Sequence, residues 1–223
     1  MPVLVADDLR KEYGDVVALH DFRLSVEPGE LLALVGHNGS GKSTFLRLVA
    51  GLLEPTDGVL VVANAPAGSL RARAEVSFVP DQPVLYDDLS VNEHIEYTAR
   101  LHGELDWPDR ADTLLDVLGL AARADDLPSR FSRGLRQKSS LVLGLVRPFS
   151  ILLVDEPFVG LDPQGQSALT ELLVEAASAG AAVLVATHQL GFLEHASRCV
   201  ALRDGHTEFE GPVDLPRIQA LLG

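Results

Sequence analysis

The segment LLALVGHNGSGKST, residues 31–44, decides the fold that this sequence predicts. Residues 31–35 are all apolar, which is typical of a strand buried on both faces of a parallel sheet. The turn after this strand matches the pattern G-x-x-x-x-G-K-[ST], and a helix is predicted from Lys42 onward. A buried strand, a glycine-rich turn and a helix in this order predict a phosphate-binding P-loop.

The chemistry of phosphate binding explains the residue types in this turn. Glycines let the backbone wrap around phosphate groups, so that successive N–H groups and the positive end of the helix dipole face the anion. Lys42 is predicted to reach the β- and γ-phosphates, and the hydroxyl of Ser43 is a candidate Mg²⁺ ligand. The candidate nucleotide-binding residues are consecutive: Gly36, His37, Asn38, Gly39, Ser40, Gly41, Lys42, Ser43 and Thr44.

A second apolar strand, at residues 151–155, ends in a pair of carboxylates. Asp155 is the candidate Mg²⁺ ligand and Glu156 the candidate general base that deprotonates a water molecule. Adjacent residues of a strand point in opposite directions, so the two carboxylates can do different work. Together the two motifs predict binding and hydrolysis of a nucleoside triphosphate.

These motifs alone do not fix the nucleotide or the reaction. A GTPase should also carry an Asn-Lys-x-Asp motif that reads the guanine base, and none of Lys11, Lys42 and Lys138 lies in one. A small-molecule kinase of the P-loop type is still compatible with both motifs.

Elsewhere in the chain, short apolar strands alternate with helical segments. This alternation predicts an α/β fold with a mostly parallel sheet and right-handed crossovers. Residues 85–148 instead have apolar residues at helical spacing, so we predict one domain over 1–223 with a core of 1–84 and 149–223 and a helical subdomain of 85–148. Strands are predicted at 3–9, 16–26, 31–36, 59–62, 76–79, 151–155, 181–187 and 199–202, and helices at 42–53, 164–179 and 190–196.

The composition excludes several kinds of partner. The chain of 223 residues carries 32 acidic and 18 basic side chains, a net charge of −14, which disfavours binding to nucleic acid or anionic lipid. The single cysteine, Cys199, cannot form an internal disulfide. The sequence has no run of about 18 apolar residues and no signal-peptide pattern at its start. We therefore expect a cytoplasmic protein that does not insert into lipid and reaches a membrane only through a protein partner.

The sequence FSRGLRQKSSL, residues 131–141, resembles the signature segment of the ATP-binding cassette (ABC) family, and the resemblance covers essentially the whole chain. Ser132 and Gly134 hold the family's two most important places, whereas Arg133 replaces a glycine and Leu135 replaces the glutamine. This Ser-Arg-Gly form is similar to that of ATPase subunits of type-2, efflux-like transporters. Taken alone, a serine before a basic helix is an ordinary N-cap.

The resemblance assigns roles to further residues. Residues 160–163, GLDP, are similar to the family's D-loop, which implies that Asp162 lies at a dimer interface. His188 corresponds to the switch histidine, which implies contact with the γ-phosphate. Tyr13 lies where the family stacks an aromatic ring on adenine, and Val17 would complete that contact. The alternative for Tyr13 is a half-buried residue at a strand end.

One departure from the family pattern leaves a question open. The Q-loop glutamine of the family falls on Asp81, and Gln82 follows one place later. Asp81 could ligate Mg²⁺, or Gln82 could turn toward the site. The sequence does not decide between these two residues.

The resemblance implies an ATPase with a RecA-like P-loop core, an N-terminal antiparallel β subdomain and ATP and Mg²⁺ as ligands. Each nucleotide site would need a second copy of the chain, so we expect a homodimer closed by two ATP. We expect it to drive a separate integral-membrane permease that docks near residues 81–90, at the inner face of the cell membrane. The signature form and the lack of an importer-type C-terminal domain favour an exporter. The alternatives are a soluble cassette ATPase acting on DNA or ribosomes and an ATPase coupled to envelope signalling or cell division.

Overall fold

The computed structural model describes residues 1–222, which form two β-sheets. The smaller, antiparallel sheet contains four strands: β1 (Leu4–Tyr13), β2 (Val16–Val26), β4 (Asp57–Val62) and β5 (Ala65–Pro66). The larger sheet contains six: β3 (Leu31–Val35), β6 (Val76–Val79), β7 (Ile151–Asp155), β8 (Ala182–Ala186), β9 (Arg198–Arg203) and β10 (His206–Gly211). The strand orders are β2-β1-β4-β5 and β10-β9-β3-β8-β7-β6, and in the larger sheet only the β9–β10 pair is antiparallel. This is the predicted α/β fold with an antiparallel sheet near the N-terminus.

Seven α-helices connect and cover these strands within the described residues: α1 (Lys42–Val49), α2 (Leu70–Glu75), α3 (Val91–Leu101), α4 (Trp107–Val117), α5 (Arg133–Leu145), α6 (Pro163–Ser178) and α7 (Leu215–Leu222). The starts of four of them are capped by polar side chains: Ser69 for α2, Ser90 for α3, Ser132 for α5 and Asp162 for α6. Each cap accepts a hydrogen bond from a free N–H of the first turn, which fixes where the helix begins. None of the helices in residues 1–222 is long and apolar enough to cross a membrane.

The larger sheet separates two hydrophobic cores. Alternate residues of β3 face opposite sides: Leu31, Ala33 and Val35 pack with helices α3 to α6, whereas Leu32 and Leu34 pack with α1 and the smaller sheet. All five residues of β3 are buried, which explains why its sequence is a continuous apolar run. Helices α3, α4 and α5 lie within residues 85–148 and share their core with the sheet, and the division of 85–148 as a subdomain stays a prediction.

Several predicted boundaries were wrong for local physical reasons. Strand β1 continues past Leu9 because a bulge, with Asp8 at φ 49°, breaks the alternation of apolar and polar residues. Helix α1 ends before Gly51, which has φ 69° and could not carry a side chain, because a methyl group there would lie 2.4 Å from the Cα of Gly68. The helix predicted at 190–196 is a 3-10 helix over residues 190–195.

Candidate nucleotide site

The predicted P-loop, acidic pair and histidine meet at one edge of the larger sheet. Strands β3, β8 and β7 are parallel neighbours, so their carboxyl ends lie side by side. The P-loop follows β3, Glu156 follows β7, and His188 lies two residues after the end of β8. Ligands of α/β proteins bind at this edge of the sheet.

The P-loop has an exposed tip and a buried base. His37, Asn38 and Gly39 are exposed, Gly36, Ser40, Gly41 and Lys42 are buried, and Ser43 and Thr44 are half-buried. Gly41 has φ 107°, and a methyl group there would lie 2.6 Å from the carbonyl oxygen of Ala18. The glycine at this position is therefore required both by the backbone conformation and by the close approach of β2.

The side chain of Lys42 folds back over the P-loop. Its Nζ donates to the carbonyl oxygens of Gly36 at 2.8 Å and His37 at 3.1 Å, and it lies 3.9 Å from Oε1 of Glu156. Burial lowers the pKa of Lys42, whereas the charges of Glu156 and Asp155 act in the opposite direction. The Lys42 ammonium group is thus held at the base of the P-loop by two carbonyl oxygens, and a bound phosphate could take their place as hydrogen-bond acceptor.

Asp155 and Ser43 form the pair that fits a magnesium ion. The Ser43 hydroxyl donates to Oδ1 of Asp155 at 3.0 Å, and among the described residues Oδ2 of Asp155 is buried with no hydrogen-bond partner. Burial raises the pKa of Asp155, and the nearby charges of Glu156 and Asp81 raise it further. A hydroxyl and a buried carboxylate oxygen are hard ligands of the kind that Mg²⁺ takes.

The rest of the structure is consistent with such a small protein ligand set. Residues 1–222 contain no group of three or more His, Cys, Asp or Glu side chains placed to hold a metal ion. Mg²⁺ bound with a nucleotide usually keeps one or two protein ligands, with phosphate and water supplying the others. Ser43 and Asp155 form a ligand pair of this size.

Glu156 and His188 are already in contact. Nδ1 of His188 lies 2.8 Å from Oε2 of Glu156, and Oε1 of Glu156 is buried with no hydrogen-bond partner among the described residues. Glu156 has φ 46°, a strained conformation for a residue with a side chain, and its N–H donates to Ala186 at 2.8 Å. The carboxylate of Glu156 thus lies between His188 and Lys42, 2.8 Å from Nδ1 of the first and 3.9 Å from Nζ of the second.

The signature residues stand at the start of α5 and pack against the D-loop of the same chain. Ser132 caps the helix, accepting from the N–H of Leu135 at 3.3 Å. A methyl group on Gly134 would lie 2.4 Å from the carbonyl oxygen of Gly160, so this position tolerates no side chain. In the described part of the chain, no hydrogen bond or ion pair joins Ser132 or Gly134 to residues 36–44.

Asp162 caps the start of α6 and also contacts Lys138 of α5. Its Oδ1 accepts from the N–H of Gly165 at 3.3 Å and lies 3.3 Å from Nζ of Lys138. The hydrogen bond and charge of Lys138 lower the pKa of Asp162. The D-loop carboxylate is thus exposed yet oriented by an α5 side chain.

The predicted adenine contact lies on the neighbouring hairpin. Tyr13 is the last residue of β1 and is 45% exposed, and Nζ of Lys11 lies 5.2 Å from its ring centroid. Val17 pairs with Glu12 in the adjacent strand β2. The ring of Tyr13 is thus partly exposed beneath Lys11, and its stacking on adenine stays a prediction.

Asp81 and Gln82 follow β6 and line a cavity of about 660 Å³. Asp81 is close enough to Asp155 that its charge contributes to the raised pKa of that carboxyl. Gln82 is exposed, and both residues border the space between the sheet and α5. Which of the two residues takes the Q-loop role stays a prediction.

One turn that supports the P-loop was not predicted from the sequence. Gly205, between β9 and β10, donates its N–H to the Ser40 carbonyl at 3.1 Å and accepts from the N–H of His20 at 3.0 Å. Asp204 beside it lies 3.4 Å from Nε2 of His37. An Asp-Gly pair between two strand-like runs is a hairpin signal. Its contact with the P-loop depends on the strand order, which that signal does not contain.

A parallel sheet whose central strand runs into a P-loop, beside a strand that ends in a buried aspartate, defines a P-loop nucleotide-hydrolysing enzyme. The family model described as ABC transporter matches residues 19–159. The chain belongs to this family and is an ABC ATPase of the transporter type, as the signature segment predicted.

Curated relatives and solved structures agree with this assignment. The SkfA peptide export ATP-binding protein SkfE of Bacillus subtilis (strain 168) is 33% identical over 92% of this chain and 87% of its own length. The solved ATP-binding subunit of an ABC transporter has a TM-score of 0.91 and 32% identity, covering 99% of this chain and 95% of that one. The dimeric post-hydrolysis structure of the cassette MJ0796, bound to ADP and Pi, has a TM-score of 0.87 and 26% identity, covering 95% and 99%.

Proposed function

We propose that this chain hydrolyses Mg-ATP in a homodimer and that hydrolysis drives a separate membrane permease in export. The observation that carries the catalytic part is the contact at 2.8 Å between His188 and Glu156, together with the free, buried Oε1 of Glu156 beside Lys42. An oriented carboxylate with an unused oxygen at a phosphate site is suited to remove a proton from water.

The residues at the sheet edge divide the work of hydrolysis. Lys42 balances negative charge on the β- and γ-phosphates, and the P-loop N–H groups orient them. Glu156 accepts the proton of the attacking water, while His188 holds the Glu156 side chain in place and borders the γ-phosphate. Ser43, Asp155 and Asp81 are the residues that would hold Mg²⁺, which neutralises phosphate charge when bound.

A second copy of the chain would complete each site. Ser132 and Gly134 open α5 but have no hydrogen bond or ion pair with residues 36–44 of their own chain in the described structure. The positive end of α5 is suited to face phosphate, and the matching cassette MJ0796 is dimeric in its ADP-bound structure. We infer a homodimer in which α5 of each copy faces the P-loop of the other.

The permease would dock on the surface beside the 660 Å³ cavity. Val84 is 87% exposed, Tyr86 57% and Leu101 68%, and they lie on the loop after β6 and on α3. Of these three residues Val84 lines the cavity, and exposed apolar residues of this kind are typical of interaction surfaces. A cytoplasmic helix of a permease is the occupant that fits the transporter family, and it would place the chain at the inner face of the membrane.

Export is favoured over import by the curated relative SkfE, which carries peptide export in its name. The Ser-Arg-Gly signature points the same way by resemblance. The net charge of −14 weighs against the alternative of an ATPase acting on DNA or ribosomes.

The test is recovery of the partner from native membranes. Tagged Glu156→Gln, held in Mg-ATP, is used to purify proteins from detergent-solubilised membranes, with the wild-type chain in nucleotide-free buffer as the matched control. One polytopic membrane protein in near-equal amount, enriched over the control, supports the transporter function. Recovery of ribosomes or soluble proteins alone would contradict it and favour the alternative.

A further inference from the structure

The side chain of Arg133 connects three segments that are distant in sequence. Arg133 is the first residue of α5, and its Nη2 lies 3.6 Å from Oδ1 of Asp81 in the loop after β6. Its aliphatic part covers the D-loop: a methyl group on Gly160 would lie 3.6 Å from Cγ and 3.7 Å from Cδ of Arg133. Arg133, within the signature segment, therefore lies against two other segments: the D-loop and the loop that carries Asp81.

Both members of this pair stand at positions where the sequence departs from the family pattern. Arg133 stands where a glycine is usual, and Asp81 stands where a glutamine is usual. Asp81 alone would add a negative charge beside Asp155, whose pKa it already raises. The guanidinium of Arg133 places a positive charge next to this carboxylate, so the two departures from the family pattern form one ion pair.

We propose that Arg133 is a positioning residue that acts through Asp81, holding the start of α5 to the loop of residues 80–90. This deepens the proposed function, because Ser132 and Gly134 at the start of α5 would face the second copy and residues 80–90 would face the permease. Movement of the loop by a docked partner is then passed to Ser132 and Gly134 through the pair.

The effect should be modest, because both side chains are partly exposed: 63% for Arg133 and 37% for Asp81. Exposed ion pairs contribute little to stability but can fix the relative position of two segments. A second ion pair from α5, between Lys138 and Asp162, reaches the D-loop and not the loop of residues 80–90. It provides a matched control, with a similar charge contact to a different segment.

Amide hydrogen exchange of the nucleotide-free protein tests the pair directly. The N–H of Tyr86 donates to Nε2 of the buried His94 at 2.8 Å, so its exchange reports opening of the loop. We expect Arg133→Gln to speed this exchange about 1.5- to 5-fold when Asp81 is present. In the Asp81→Asn background the same substitution should have no effect, and Lys138→Gln should leave the exchange of Tyr86 unchanged.

If Arg133→Gln changes the exchange of Tyr86 equally with Asp81 and with Asp81→Asn, or changes it in neither, the two side chains are not coupled and the proposal is wrong. This double-mutant cycle of exchange rates uses neither nucleotide nor a second copy of the chain. A negative result would therefore leave the proposed function unaffected. Likewise, an inactive ATPase would not change how the exchange rates are interpreted.

The positioning role is tested separately in the Glu156→Gln background with Mg-ATP. Arg133→Gln should weaken dimerisation, measured by light scattering, by a similar factor, and Arg133→Lys should weaken it less. Unchanged dimerisation with Arg133→Gln would overturn the positioning role even if the exchange cycle shows coupling.

Discussion

The P-loop and the start of α5 would both contact ATP, but they are held in opposite ways. Lys42 and Asp155 are 5% and 1% exposed and are fixed by hydrogen bonds to the P-loop. At the start of α5, Arg133 is 63% exposed, and in the nearby D-loop Asp162 is 59% exposed; both are held by ion pairs. The first region is built within one chain, whereas the second presents an open surface. This difference is what a site shared between two chains requires.

The largest effect is expected in the buried region around the P-loop, for Glu156→Gln. Glutamine keeps the shape of glutamate but cannot accept the proton of water, so kcat should fall about 10²- to 10⁴-fold while ATP still binds. Steady-state ATPase assays and nucleotide titration measure the two quantities. Glu208→Gln, at an exposed carboxylate of β10, is the control and should retain wild-type activity. A wild-type kcat in Glu156→Gln would remove this residue from the chemistry.

The next largest effect is expected at the exposed start of α5, for Gly134→Ala. A methyl group there would lie 2.4 Å from the Gly160 carbonyl, so Gly134→Ala must push α5 away from the D-loop. We expect a cost of about 1–3 kcal/mol in the free energy of unfolding, together with loss of ATP-dependent dimerisation. Gly191→Ala, where a methyl group meets nothing within 4 Å, is the matched control for chemical denaturation and light scattering. Dimerisation as strong as in the wild type would show that this contact does not position α5.

Tyr13 tests whether the nucleotide site extends to the β1–β2 hairpin. If the exposed ring stacks on adenine, Tyr13→Ala should raise the Kd for ATP about 5- to 150-fold, because a base–aromatic stack contributes about 1–3 kcal/mol. Tyr13→Phe retains the ring and should bind ATP like the wild type. The Kd is measured by calorimetry. An unchanged Kd with Tyr13→Ala would show that Tyr13 does not contact the nucleotide and is only a residue at the end of a strand.

The smallest effect is one of stability, at Asp155. Its pKa is raised by burial, so the native state binds a proton more readily than the unfolded chain does, and stability falls as pH rises between the unfolded and native pKa values. Asp155→Asn removes this penalty and can still accept from Ser43, so the Tm of the nucleotide-free protein at pH 8 should rise. Asp15→Asn, at an exposed turn, should leave Tm unchanged. A lower Tm for Asp155→Asn would mean that the buried charge is stabilising.

The sequence was most informative where burial is complete. Strand Ile151–Asp155 and the start of α1 at Lys42 were predicted correctly, since continuous apolar runs and glycine-rich turns leave few alternatives. Strand β10 was not predicted, because its mostly exposed residues show no clear alternation. Helix α7 was missed although Leu215, Ile218 and Leu221 have helical spacing and pack on the core.

Contacts between distant loops could not be predicted from the sequence. The approach of Arg133 to Asp81, and of Gly205 to Ser40, results from how α5 and the β9–β10 turn pack on the sheet. Local spacing contains no information about such packing. The family resemblance identified Ser132 and Gly134, but only the structure shows that Gly134 must be a glycine because of Gly160.

The most direct measurement is a cross-link between two different chains. One protein carries Ser132→Cys and the other Asn38→Cys, both with Glu156→Gln, and a short thiol-specific cross-linker is added with Mg-ATP. The native Cys199 should not react, because burial raises its pKa to about 12. If α5 of one chain faces the P-loop of the other, the mixed product, which joins the two different chains through the introduced thiols, forms with Mg-ATP and not without it. Products linking only like positions, or no product while light scattering detects the dimer, would contradict the shared site.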